Sequence, residues 1–371
     1  MRDVVLSNCE KNFLNKIVPE GHRLDGRNYN ESRPLNIAFG SEYGSCIVSL
    51  GETKVLAQVS CEVVQPKQIR PNEGLLYINA EISPMAAPQF EANRQNDLSL
   101  SLNRQLEKCY KDSKCIDLES LCIVAEEKVW SIRVDIKVLN LDGNLIECAS
   151  LATVTALAHF RRPDVTRSGD SVIIHDITEK DPIPTVLFHY PVCTTYAVFD
   201  EDILLADPTF LEETVCTSST EETSRSGLLV VGLNQYKEVC ILYIYGAALT
   251  NRAILNKALP GAAERCKEIV DIVKKAIISD DVQRQKRVKI NFSDIITQDH
   301  LLCLSKKDLT IKLKHYNADD DNLDEEEFMD TDSEKEPSKY DVVSSVPQTA
   351  EIQAKKGASQ WIEISSDSED D

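Results

Sequence analysis

The sequence has no hydrophobic run of membrane-spanning length. Its first residues, Met1 to Leu14, mix charge and polarity where a secretory leader needs an unbroken apolar stretch. A cytosolic or nuclear protein is expected. None of the 12 cysteines, scattered from Cys9 to Cys303, falls in a C-x-x-C pair or a Cys-rich cluster, which argues against a zinc site and against a disulfide framework. They are expected as small buried hydrophobes in a reducing compartment. Also missing are G-x-x-x-x-G-K-[ST], H-E-x-x-H and G-x-S-x-G, so no phosphate loop, zincin helix or nucleophile elbow is readable. The six histidines form no metal-spaced pair. No cofactor and no metal are expected.

Positive charge is scarce as well, with 41 Lys and Arg against 61 Asp and Glu and a formal net charge of −20. Spread evenly, that balance would oppose nucleic-acid binding. It is concentrated instead: residues 317–371 hold 18 acidic and 4 basic residues, which leaves a formal −6 for the rest of the chain. The acidic, Ser-rich segment from Asn317 has too little apolar area to offset the entropy of ordering and is expected to be disordered.

Over the remainder, alternating apolar and polar residues predict strands near Leu35–Phe39, Cys46–Leu50, Val55–Val59, Leu75–Ile82 and Val129–Leu139. Leu98, Leu102, Leu106 and Cys109 recur at helical spacing. A second helix is predicted at Glu147–Phe160, its small residues suited to packing on a sheet, and Arg161-Arg162-Pro163 ends it. Further strands are predicted at Val172–His175, Val192–Phe199, Ile203–Ala206, Leu228–Gly232 and Val239–Tyr245. A long helix follows from about Thr250 to Ile278, with a break expected around Pro260. Thr214–Ser226, rich in Ser, Thr and Glu, reads as a mobile loop. Strands then helix, twice over, suggest a duplicated α/β unit.

Four cations merit attention. Arg104, Lys108 and Lys111 follow at i, i+4 and i+7 on the face opposite the leucines, which reads either as a track for an RNA backbone or as an ordinary solvated helix face. Arg94 stands just before the helix, where a cation beside N-terminal amides favours an anion. His159 reads as a packed residue with a satisfied nitrogen. Asp207, before Pro208 at a strand end, reads either as a metal-binding carboxylate or as a turn residue. At the end of the tail, Trp361-Ile362-Glu363-Ile364-Ser365-Ser366-Asp367-Ser368 resembles a SUMO-interacting motif, a short strand with acidic residues beside it. Ser365, Ser366 and Ser368 resemble acidophilic-kinase sites.

Arg23-Leu24-Asp25-Gly26-Arg27, Arg33-Pro34-Leu35 and the run Gly44-Ser45-Cys46-Ile47-Val48-Ser49-Leu50-Gly51-Glu52-Thr53-Lys54-Val55-Leu56 are similar to the N-terminal signature of RNase PH-like proteins. Further stretches, including Ser113–Asp117 and His159–Val165, resemble RNase PH-like ring subunits of the eukaryotic RNA exosome. That resemblance implies an α+β chain of duplicated βαβ-type units, mixed sheets packed on helices as in the second domain of ribosomal protein S5. It divides the chain into an arm (1–30), two halves (31–190 and 191–290), an extension (291–316) and the tail (317–371). The implied partners are other RNase PH-like subunits in a hetero-hexameric ring, S1/KH cap proteins, a hydrolytic nuclease and single-stranded RNA, with SUMO for the tail motif and no membrane. Nucleus, nucleolus and cytoplasm are the implied locations. Arg94, Arg104, Lys108 and Lys111 fall in the region that lines the RNA path.

Where active relatives carry Asp-Gly-Gly-Thr-Arg-Thr, this chain has Asp142-Gly143-Asn144-Leu145-Ile146-Glu147. Leu145 and Ile146 offer no side-chain donor to a phosphate, and Glu147 adds like charge. Asp207 aligns with the family's first carboxylate, while Glu212 and Glu213 do not clearly reproduce the second. The expectation is a degenerate phosphate site with no catalytic residue, in a subunit serving 3′-to-5′ RNA processing. An active phosphate-dependent exoribonuclease is the alternative, and a chain acting mainly through its tail is a third reading.

Overall fold

The computed structural model describes residues 6–91, 94, 96–168, 171–176, 179–199, 203–218, 226–246, 252–286, 292, 340–346 and 349–354. The chain divides into Met1–Leu304 and Ser305–Asp371.

The first half is built on β1 (Leu35–Phe39), β2 (Ser45–Leu50), β3 (Thr53–Val64), β4 (Leu75–Ile82), β5 (Cys122–Val124) and β6 (Lys128–Asn140). Strict alternation in β4 buries Leu76, Ile78, Ala80 and Ile82 on one face. The strand order is β1-β2-β3-β6-β4, with β5 added to β6. β4 and β6 are parallel, so the helix between them, α2 (Asp97–Glu107), makes a βαβ unit; the other pairings are antiparallel. Leu102 and Leu106 of α2 are buried at helical spacing. At Lys108–Asp112 the backbone widens into a π-type turn.

Helix α3 (Leu145–His159) follows, and all but Ile146 and Ala158 of its residues are buried. A helix without a polar side has to lie inside a core. It packs on β2 and β3 and also on β11 (Val192–Phe199) of the second half. Small pairings bridge the halves: β7 (Arg161–Arg162) with β10 (Ile183–Pro184), and the hairpin β8 (Val165–Ser168) with β9 (Ser171–Ile174). The second sheet joins β11 to β12 (Ile203–Ala206), β13 (Gly227–Leu233) and β14 (Val239–Gly246) in the order β12-β11-β13-β14, antiparallel throughout. The mixed character expected of both sheets therefore belongs to the first alone.

Successive residues of β11 face opposite sides. Tyr196 and Val198 join the main core, which also holds Ile254, Ala258 and Val273 of α5 (Arg252–Gln285). Ala197 and Phe199 join a smaller cluster with Leu14, Val18, Val215 and Cys216. That cluster unites α1 (Asn8–Ile17) and α4 (Phe210–Ser218), so the N-terminal arm packs on the second half rather than on the residues that follow it. Ser7 and Glu10 start α1 with a reciprocal capping box.

Two expectations are corrected. The helix over Pro260 does not break: α5 runs 34 residues, and because Pro260 and Asn256 are exposed, the carbonyl that loses its partner faces water. The first part of the stretch read as a mobile loop, Thr214–Ser218, is helical, with Val215 and Cys216 buried; residues 219–225 lie outside the described residues. Within the acidic tail, β15 (Tyr340–Val346) and β16 (Thr349–Ala354) pair as an antiparallel hairpin, and the other residues of 317–371 lie outside the described residues. The motif Ile362–Ser368 lies outside the described residues.

Seven of the described cysteines are buried, and burial raises the thiol pKa of Cys46, Cys115 and Cys148. Among the described residues no helix is long and apolar enough to cross a membrane.

Candidate functional site

The turn that enters α3 meets the turn that leaves β12, and the arm lies against both. Gly143 (φ 77°) and Asn144 (φ 49°) adopt left-handed conformations, as does Asp207 (φ 49°). A Cβ on Gly143 would lie 2.5 Å from the Phe210 nitrogen and 2.6 Å from the Thr209 carbonyl carbon, so only glycine allows this approach.

Asp207 is 1% exposed and its two oxygens are saturated. Oδ1 accepts from Arg33 Nη2 (2.9 Å) and Asn144 Nδ2 (2.6 Å); Oδ2 accepts from Arg27 Nη1 (3.0 Å), Arg33 Nε (3.0 Å) and the Arg33 amide (2.8 Å). A carboxylate has about four lone-pair sites. Burial works to raise this carboxyl, but the hydrogen bonds and charge of Arg33, with Asn144, hold it below the usual range. Arg33 also donates to the Asp142 and Gly143 carbonyls at 2.7 and 3.4 Å. Arg23 reaches further in: it donates to the carbonyls of Ala206 (2.9 Å) and Asp207 (3.0 Å) and grips both oxygens of Glu212 at 3.0 and 2.6 Å. Asp207 is thus committed to guanidinium and amide donors, a set that does not fit a metal.

Leu145 and Ile146, expected at a degenerate phosphate site, lie at the start of α3. Leu145 is 4% exposed and Ile146 packs against the core. The Asn144 amide, at the entry to α3, donates to Glu213 Oε2 at 3.0 Å, an internal carboxylate beside a helix N-terminus. Glu147 is buried and accepts from Asn144 Nδ2 at 2.8 Å. Burial, with the neighbouring Asp207 charge, pushes its carboxyl up to about 7, against the pull of Arg265 and Asn144. Arg265 Nε stands 3.9 Å from Glu147 Oε1, too far for a hydrogen bond, at the wall of a cavity of about 590 Å³ between α5 and β11.

The four cations singled out in sequence differ in their immediate surroundings. Arg94 pairs with Glu91 at 3.0 Å rather than with the amides of α2. Arg104 and Lys108 are exposed, one turn apart, and make no ion pair among the described residues. Lys108 and Lys111 both belong to the π-type turn; Lys111 lies 4.0 Å from Glu107 and lines a groove with Lys67, Lys114, Tyr77 and Phe188. His159 is a packed residue: its Nδ1 accepts from the Gly44 amide at 3.0 Å and its Nε2 meets Asp280 at 3.0 Å. Sequence reasoning missed Arg23, Arg27, Arg33, Asn144 and Arg265 as parts of the site. The signal was present, since the two short motifs of the arm carry three of these arginines within eleven residues.

Two α/β halves meeting at a turn that follows the Asp-Gly motif define the class. Residues 31–163 match domain 1 of the 3′ exoribonuclease family and residues 189–264 match domain 2, and the chain belongs to this RNase PH family. Among its relatives, the exosome complex component RRP45 of Danio rerio is 41% identical over 352 residues, 95% of this chain and 87% of that protein. RRP45 of Saccharomyces cerevisiae is 33% identical over 77% of this chain and 95% of its own length. In fold, the chain is similar to a subunit of an Archaeoglobus fulgidus exosome solved with RNA bound to the active site, with a TM-score of 0.62 and 24% identity, over 71% of this chain and 97% of that one.

Proposed function

We propose that this chain is a non-catalytic ring subunit of an exosome, contributing structure and RNA-path cations to 3′-to-5′ RNA processing and degradation in nucleus, nucleolus and cytoplasm. Among ring subunits its sequence resembles the smaller polymyositis/scleroderma autoantigen in particular. The observation that carries the reading is the saturation of Asp207. Phosphorolysis needs an anion held beside a metal-bound carboxylate. Here Arg27, Arg33 and Asn144 consume the carboxylate, and Leu145 and Ile146 replace the anion's donors. Loss of one electrostatic anchor commonly costs about 3 kcal/mol in the transition state, and more than one is missing.

Labelled RNA incubated with the purified chain, with and without phosphate, tests this. No nucleoside diphosphate is expected, and its release by this chain alone would overturn the reading. Arg104 and Lys108, exposed and without an ion pair among the described residues, are the cations best placed to follow an RNA backbone. Arg104→Glu with Lys108→Glu is expected to weaken RNA crosslinking in the assembled ring without changing its composition; unchanged crosslinking would remove both residues from the path. S1/KH cap proteins, a hydrolytic nuclease and SUMO complete the proposed set of partners.

A further inference from the structure

Three elements bring polar side chains to one cavity and leave them unpaired. Glu147 of α3 and Thr195 of β11 are 2% and 3% exposed, and the side chain of Arg265 of α5 is 20% exposed. All three line the cavity of about 590 Å³ between α5 and β11. Glu147 Oε1, Thr195 Oγ1 and both Nε and Nη2 of Arg265 are buried without a hydrogen-bond partner among the described residues. Buried polar atoms are nearly always satisfied, so four such atoms gathered at one cavity mark a place for a ligand's own polar groups.

Arg265 controls access to them. No hydrogen bond restrains it among the described residues: Glu147 Oε1 lies 3.9 Å from its Nε, and Glu268 Oε2 lies 3.7 Å from its Nη1. A guanidinium held so loosely turns at little cost and bares the carboxylate oxygen beside it. Gly261 stands one turn earlier on α5 and also lines the cavity. Glycine is a poor helix former, and packing does not require it here, since a Cβ would meet the Tyr196 hydroxyl at 3.5 Å, an ordinary contact. Its missing side chain leaves the cavity wide.

The wall favours an uncharged occupant. Glu31, Glu147, Glu264 and Glu268 outnumber Lys257 and Arg265, and Asp207 is already committed to Arg27 and Arg33, so a phosphate or carboxylate would meet negative charge. A hydroxyl accepts from a guanidinium N–H and donates to a carboxylate, and two adjacent hydroxyls match the parallel Nε–H and Nη2–H of one guanidinium edge. With its carboxyl pushed up to about 7, Glu147 can meet a hydroxyl as acceptor or as donor. We propose that this cavity binds a small uncharged compound through a vicinal diol, held by Arg265, Glu147 and Thr195. Free sugars and ribonucleosides share that chemistry, and the volume admits either. The site stands whether or not the chain enters a ring.

The full chain is titrated calorimetrically with adenosine and with methyl β-D-ribofuranoside, each beside its 2-deoxy counterpart, which lacks the diol, and with adenosine monophosphate, which adds charge. Saturable binding at millimolar concentration or below is expected for at least one of the two diols, the tighter one identifying the source. Loss of the diol or addition of the phosphate should weaken binding about tenfold or more. Thr195→Val and Gly261→Leu should weaken it to a similar degree while the thermal midpoint holds or rises, because the first removes an unsatisfied buried hydroxyl and the second strengthens the helix. Absence of saturable binding by both diols would overturn the proposal, as would equal binding of the 2-deoxy compounds or undiminished binding by the two variants. Tighter binding of adenosine monophosphate would make this an anion site, and displacement of the diol by a short RNA with a free 3′ end would assign the cavity to the RNA path; either result overturns the proposal as well.

Discussion

Replacing Asp207 by Asn isolates the interaction on which the inert-site reading turns. The side chain keeps its size but loses the charge that faces Arg27 and Arg33 and one of the two oxygens that together accept five hydrogen bonds. Both arginines are largely buried, so they are left without a counter-charge in a medium that screens poorly. Removing one partner of such a pair costs about 3 to 5 kcal/mol. In a protein of this size that corresponds to a drop on the order of 10 °C in thermal midpoint.

Urea unfolding of the full chain at pH 7 gives the first number and calorimetry the second. The folded-state carboxyl is held below its ordinary value, so the stabilisation is complete above the unfolded pKa and is lost as pH falls through the folded one. The gap between wild type and Asp207→Asn should therefore narrow below about pH 4. A stability change under about 1 kcal/mol at pH 7 would refute the clamp. So would a midpoint that rises with millimolar Mg²⁺ in the wild type but not in the variant, because a ligand stabilises only the state that binds it.

Two other perturbations probe the same region. The Glu147 carboxyl, raised from about 4.5 to about 7, binds its proton more tightly in the folded state, so stability should decline by about 3 kcal/mol as pH rises from 4.5 to 7. Glu147→Gln should flatten that part of the pH profile of urea midpoints, and an unaltered slope would assign the decline elsewhere. Gly143→Ala forces a Cβ against the backbone of Thr209 and Phe210 at a positive φ, and should cost about 3 kcal/mol or more in the same assay; a near-neutral result would mean that the two turns can separate.

Sequence patterning located the strands well because β1, β4, β11 and β12 are short runs bounded by turns, and burial on one or both faces leaves a direct trace in residue choice. It failed where composition and packing disagree. α4 is rich in Thr and Glu, yet Leu211, Val215 and Cys216 join the smaller core cluster, and four apolar residues in nine are easily outvoted. α1 escaped notice although Ser7 and Glu10 spell a capping box. In the site, the substitutions Leu145 and Ile146 were legible because the resemblance supplied an expectation for those positions. The guanidinium groups gathered around Asp207 and Glu212 were not legible as such, because Arg23 and Glu212 are separated by 189 residues and nothing local in either predicts the other.

That separation bears on how the chain is made. Leu14, Val18 and Arg23 have no resting place until the segment from Ala197 to Glu212 has been synthesised, so residues made well before that segment are seated only after it. During that interval α1 is a short amphipathic peptide seeking cover, and trimming it away should loosen the half of the molecule that comes later in sequence while sparing the half that adjoins it.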